Sequence, residues 1–299
     1  MKRSWRMLVI LTVIAMALLQ FTSTAHAAVV EPALEESTSA YILETRLTVT
    51  NHGATVMGNT RIAIPLPVEN SLYARVDEVE FNLEPDEIEE TVDGLRIAHF
   101  VIGSISPGAE AVVTVRSTMS AYKTAQTLDC DQGIGSVPPA TILEHVAHRL
   151  ASPWDDAGDR FAALLRFTHE HMTYDRESPW RNGSALTAYQ YGEGVCEDFA
   201  TLLVDLATGV GIDSRVVYGY RLSPASEIWE RHAWVEYRTG DDSWQAADPT
   251  FHAEPGMIQE GAVYLAQWYE DRPMRIRYVG GSPRAALSET VEAVEFITD

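Results

Sequence analysis

Three short blocks of this sequence hold residue types that can make and break covalent bonds. The first is Gly194-Val195-Cys196-Glu197-Asp198-Phe199-Ala200. A glycine lets the backbone turn tightly, and a helix is expected to start at the cysteine. Phe199, Leu202, Leu203, Leu206 and Val210 recur at i, i+3, i+4, i+7 and i+11, and Gly209 and Gly211 end the run. Cys196 therefore falls in a first helical turn, where N–H groups lack intrahelical acceptors and the dipole is positive. Both favour a thiolate, which is the nucleophilic form. The same N–H groups can face a developing oxyanion.

The second block is Arg231-His232-Ala233-Trp234-Val235-Glu236-Tyr237, which reads as a strand. Strand alternation puts His232, Trp234 and Glu236 on one face and Ala233, Val235 and Tyr237 on the other. A histidine near the start of such a strand can reach the N-terminus of a helix packed on the sheet and act as base, then acid. The third block, Trp244-Gln245-Ala246-Ala247-Asp248-Pro249-Thr250, puts a carboxylate at the end of an adjoining strand. Neighbouring strands lie roughly 5 Å apart, so Asp248 can hold the second imidazole nitrogen. Cys196, His232 and Asp248 thus supply a nucleophile, a base and an orienter.

The run GVCEDFATLLVDLATGVGIDSRVVYGY, followed by HAWVEY and then by W-x3-DPT, resembles the transglutaminase-like superfamily over about residues 140–280. The resemblance implies a papain-like α+β core, with Cys196 as nucleophile, His232 as general base and acid, and Asp248 as orienter. It implies a thiol enzyme acting on an amide of a protein or peptide substrate, with no external cofactor. Members of the superfamily include cross-linking enzymes, amide hydrolases and peptidases. A non-catalytic binding protein on the same fold is the competing expectation.

Each of these residues has a plainer use. Cys196 and Cys130 are the two cysteines, and one disulfide between them is arithmetically possible. His232 packed beside tryptophan, or Asp248 in a turn before proline, would be ordinary alone. Trp234 and Trp244 suit a core or a cleft wall, with substrate contact the lesser expectation. Gln190 and Tyr191, close ahead of Cys196, are further substrate-contact and oxyanion-donor candidates. Glu197 and Asp198 suit the helix dipole better than proton transfer. His169-Glu170-His171 and His145-x2-His148 lack the H-E-x-x-H spacing of zinc hydrolases, so no metal site is expected and these histidines read as solvated.

The elements that must position this chemistry follow from pattern. Pro139 can open a helix on which Ile142, Val146 and Leu150 recur, and Asp155 or Asp156 can cap a second carrying Phe161, Leu164, Leu165 and Thr168. Residues 175–194 read as loop and a short helix. Strands are expected at Arg215–Tyr220, Arg231–Tyr237 and Ser243–Ala247, with a hairpin at Thr239-Gly240-Asp241-Asp242 and a further strand within Met274–Val279. Upstream, Tyr41–Thr50, Thr60–Ile64, Arg75–Phe81, Gly94–Ile102 and Ala111–Ser117 alternate between turn signals. The expected architecture is α+β: an all-β sandwich over 28–120, a linker over 121–138 and a transglutaminase-like domain over 139–299.

Residues 1–27 carry Lys2, Arg3 and Arg6, an apolar run from Met7 to Leu19 and an Ala25-His26-Ala27 end. They read as a secretory signal peptide cut after Ala27, which predicts a secreted or periplasmic protein with no stable membrane insertion. The formal net charge of −21, in 299 residues, argues against nucleic-acid or anionic-lipid partners through the overall field.

Overall fold

The computed structural model describes residues 39–58, 60–90, 96–122, 141–223, 229–239, 243–255, 262–269, 277–279 and 285–296. The expected signal peptide, Cys130, most of the expected linker and the turn residues 240–242 lie outside the described residues.

Six strands open the chain: β1 (Ser39–Asn51), β2 (Arg61–Pro65), β3 (Ala74–Phe81), β4 (Glu87–Glu90), β5 (Arg96–Val101) and β6 (Glu110–Ala121). Along β1 buried and more exposed positions alternate, as expected for a strand with one face in a core. Two C-terminal strands, β13 (Arg277–Val279) and β14 (Ala285–Phe296), join these strands in two sheets, ordered β14-β1-β6-β3 and β13-β2-β5-β4. Leu47, Val49, Val113 and Val115 from the first pack against Ile62, Ile64, Ala98 and Phe100 from the second. This is a face-to-face sandwich.

The membership of that sandwich differs from the sequence reading. β13 (Arg277–Val279), which falls within the strand expected near the C-terminus, pairs with β2. β14 (Ala285–Phe296), unread in the sequence, pairs antiparallel along the whole of β1 from Ala40↔Phe296 to Asn51↔Ala285. The boundaries 28–120 and 139–299 therefore cut across both sheets. β1 has two edges, one paired with β6 and the other with the distant β14, and local periodicity carries no sign of such a pairing.

The helical layer follows: α1 (Thr141–Ala151), α2 (Ala157–His171), α3 (Ala185–Tyr191) and α4 (Cys196–Gly209), with two short strands, β7 (Thr173–Tyr174) after α2 and β8 (Glu193–Gly194) before α4, paired in parallel. On α1 the buried face is Leu143, Val146 and Ala147, whereas Ile142 is exposed. Asp156, not Asp155, caps α2, accepting from Gly158 N at 2.8 Å and Asp159 N at 3.2 Å. Phe161, Leu164, Leu165 and Thr168 are buried as the spacing predicts.

A third sheet, ordered β11-β10-β9-β12, comprises β9 (Asp213–Leu222), β10 (Trp229–Arg238), β11 (Gln245–Ala247) and β12 (Val263–Tyr269). Its two faces have separate partners. Ala233, Val235 and Tyr237 join Phe199, Leu202, Leu203 and Leu206 of α4 in one core. Trp234, Trp244, Ala246 and Tyr264 join Leu72 from the sandwich in another. Each fully buried leucine or phenylalanine here contributes about 1.5–3 kcal/mol. α4 is thereby fixed on the sheet, and its first residue is Cys196.

Candidate active site

Cys196 begins α4 because the turn before it is built around Asp198. The Asp198 carboxylate accepts from Val195 N at 2.8 Å, Gly183 N at 3.0 Å and Asn182 N at 3.1 Å. It satisfies one orphan donor at the helix start and ties the 182–183 loop to it. Gly194 makes room for that carboxylate: a Cβ there would stand 2.5 Å from Asp198 Oδ2. Asp198 thus does more than complement the dipole.

His232 is the fourth residue of β10, and Asp248 follows β11 by one residue. Val235 faces Ala247 in the antiparallel register, which carries the chain ends bearing His232 and Asp248 toward one another. His232 Nε2 lies 2.7 Å from Asp248 Oδ2, both side chains being almost wholly buried. The donor is the Nε2–H, so Nδ1 is the nitrogen left for the thiol. The Cys196 thiol lines the same cleft as the ring and favours the charged imidazole.

Cys196, half-buried and free, lines a cleft of about 180 Å³ with His232, Asn182, Glu197, Gly219 and Arg231. Gly219 faces His232 across β9 and β10, and a Cβ on it would stand 2.0 Å from Leu265 O. Glycine is needed for β9 and β12 to close up at this point.

The charges in the site are set by opposing effects. Burial works against a charged His232, but the Asp248 carboxylate, its hydrogen bond and the contact with Cys196 prevail and raise the imidazole to about 10. Burial likewise works against a charged Asp248; His232, the Tyr264 hydroxyl and Thr250 N prevail and hold it below the usual carboxylate value. Together they describe an imidazolium–carboxylate pair across the neutral range.

The other expected contact residues stand apart from this cleft. Trp234 and Trp244 are buried in the core shared with Tyr264 and Leu72. Arg215 lies over the Trp244 ring at 4.2 Å. Gln190 is exposed on α3, and Tyr191 stacks on Trp180 at 3.9 Å; neither is among the residues lining the cleft. His169 and His171, expected to be solvated, are partly buried. His169 Nδ1 donates to Pro249 O at 2.9 Å, and His171 Nε2 to Tyr189 O at 2.7 Å.

Sequence reading missed Tyr264, whose hydroxyl donates to Asp248 Oδ2 at 2.8 Å. The run Val263-Tyr264-Leu265-Ala266-Gln267-Trp268-Tyr269 has the β-branched and aromatic content of a strand, and that was the available signal. Asn182 and Arg231 also line the cleft; Asn182 stands in no motif, and Arg231 was given no role although it precedes His232.

Residues 144–249 match the family model described as the transglutaminase-like superfamily. A protein-glutamine gamma-glutamyltransferase from Pseudomonas aeruginosa is 29% identical over 134 residues, 40% of this chain. The chain spans only 20% of that relative's length. A crystal structure of a candidate cysteine protease from Cytophaga hutchinsonii superposes with a TM-score of 0.61 at 17% identity, covering 88% of this chain and 93% of that one. At that identity the likeness is one of fold. The periplasmic domain of TgpA from Pseudomonas aeruginosa, bound to ethylmercury, gives a TM-score of 0.37 at 16% identity over 73% of this chain and 91% of that one, too low to carry an argument. The α+β core expected from the sequence resemblance stands, and the region from residue 144 to residue 249 belongs to the transglutaminase-like superfamily.

Proposed function

We propose that this chain is an exported thiol enzyme that transfers the acyl group of an amide through a thioester on Cys196, with His232 as acid and base and Asp248 as its orienter. The observation that carries the reading is the 2.7 Å contact of His232 Nε2 with Asp248 Oδ2, in a cleft that His232 lines together with the Cys196 thiol. The amide of a glutamine side chain in a protein or peptide is the preferred acyl donor. The Pseudomonas relative, a protein-glutamine gamma-glutamyltransferase by name, supports that choice. The basic and apolar pattern of residues 1–27 supports export.

The Cys196 thiolate attacks the amide carbon, and the carbonyl oxygen becomes an oxyanion facing the first N–H groups of α4. The C–N bond breaks as the His232 imidazolium gives its Nδ1 proton to the departing ammonia. A thioester remains. Water or a primary amine then attacks it, losing a proton to His232, and the C–S bond breaks to return the thiolate. Water leaves glutamate, and an amine leaves a substituted amide.

Mass spectrometry of glutamine peptides incubated with the chain, with and without a primary amine, tests this. Amine incorporation identifies a transferase, and a gain of about one dalton identifies deamidation. Backbone cleavage instead would identify a peptidase. Cys196→Ala and His232→Ala are expected to abolish whichever reaction is found while leaving the fold intact. Wild-type turnover in either variant would remove the assignment.

A further inference from the structure

Asp248 Oδ2 accepts two hydrogen bonds. One comes from His232 Nε2 at 2.7 Å and the other from the Tyr264 hydroxyl at 2.8 Å, while Thr250 N holds Oδ1 at 3.1 Å. We infer that Tyr264 is a positioning residue of the site: by donating to the oxygen that holds His232, it fixes the carboxylate so that the imidazole stays aligned with Cys196. This rests on the proposed roles of Cys196, His232 and Asp248 and adds a fourth member to them.

The surroundings leave the hydroxyl little freedom. Tyr264 is 1% exposed, and its ring packs edge-on against Trp234 at 5.2 Å. Arg221, itself buried, sits 4.1 Å over the Phe251 ring and 6.0 Å from the centre of the Tyr264 ring. Phe251 lies 5.5 Å from the His232 ring. An ionised carboxylate can only accept, so the phenol's one proton is directed at Asp248. Tyr264 and His232 thus converge as donors on the same oxygen of Asp248. A tyrosine present only to fill the core would need no such oxygen.

Asp248 is faced by His232 from β10, by Tyr264 from β12 and, through it, by Arg221 from β9; Cys196 approaches by way of His232. In its own turn His252 N donates to the Asp248 carbonyl, and His169 of α2 holds the neighbouring Pro249 carbonyl. Of these, only the His232, Tyr264 and Thr250 bonds reach the carboxylate oxygens. Each favours its ionised form, so deleting the Tyr264 hydroxyl lets Asp248 take up a proton at higher pH.

The test is the rate at which iodoacetamide alkylates Cys196 in the full chain between pH 4 and pH 8, followed by peptide mapping so that Cys130 is counted separately. The wild type, Tyr264→Phe, Asp248→Ala and the double variant are compared. Tyr264→Phe is expected to slow alkylation roughly tenfold at neutral pH and to move the acid limb of the profile upward. It should have no further effect once Asp248 is alanine. An unchanged profile in Tyr264→Phe, or an equal loss in the Asp248→Ala background, would overturn the inference. Tyr264→Leu, which also lacks the hydroxyl, serves if the phenylalanine variant does not fold. An inert Cys196 in the wild type would defeat the underlying thiol-enzyme reading instead, so the two failures are told apart.

Discussion

The backbone of Gly194 lies against the Asp198 carboxylate so closely that a Cβ would stand 2.5 Å from its Oδ2. That carboxylate accepts from three backbone N–H groups, on Val195, Asn182 and Gly183, and so joins the start of α4 to the far wall of the cleft. Asp198→Ala orphans all three at once. The expected cost is at least about 3 kcal/mol of unfolding free energy, read from urea denaturation. Gly194→Ala is expected to be damaging by the same route, since the added carbon displaces the carboxylate. Unchanged urea midpoints in both would show that the clamp contributes nothing.

Asp248→Ala removes the acceptor of the His232 Nε2–H and leaves the ring free to turn. Turnover on a verified substrate is expected to fall by about 1,000-fold or more, with KM little changed, because orientation matters at the transition state more than in binding. A loss confined to KM would assign Asp248 to substrate contact instead.

The His232–Asp248 pair also makes stability depend on pH in a fixed direction. His232 is raised in the folded chain, from 6.5 to about 10, so its contribution is complete below pH 6.5 and is lost as pH rises toward 10. Asp248 is lowered from 3.8, so its contribution is complete above pH 3.8 and is lost as the medium becomes more acid. The pair therefore stabilises most between those two unfolded values. The difference in urea midpoint between wild type and Asp248→Ala should be largest near pH 5.5 and smaller at pH 9. A difference that grew with pH would contradict it.

Much of this site is legible in the sequence because its strongest signals are local. The α4 face from Phe199 to Val210 repeats at helical spacing, and the alternation from His232 to Tyr237 separates two cores. Cys196 starts such an element, Asp248 follows the end of one and His232 lies in the first half of a third, so reading the elements nearly places the residues. What the sequence hides is pairing over distance. Nothing near Ala285 announces that β14 will run along β1, and nothing near Tyr264 announces a carboxylate 16 residues earlier. Ile142 misleads for a smaller reason: it has the right chemistry but lies one residue off the face on which Leu143 and Ala147 are buried.

Beneath the site, Arg215 of β9 and Glu236 of β10 form a buried ion pair, with Nη2 and Nε of the arginine 2.6 and 2.9 Å from Glu236 Oε2. Burial raises the Glu236 carboxyl above its usual value even though the guanidinium pulls it down. Arg215→Met removes the pull and keeps the burial, at an expected cost of about 3–5 kcal/mol. The variant should partly escape by protonating Glu236. A carboxyl raised on folding loses stability as pH climbs above its unfolded value of 4.5, so Arg215→Met is expected to be weakest at alkaline pH. Replacing both residues, as Arg215→Met with Glu236→Leu, should recover much of the loss and abolish the pH dependence. Urea midpoints at pH 5 and pH 8 for the three variants decide it, and a double variant no better than the single one would show that packing around Trp244, not the ion pair, sets the cost.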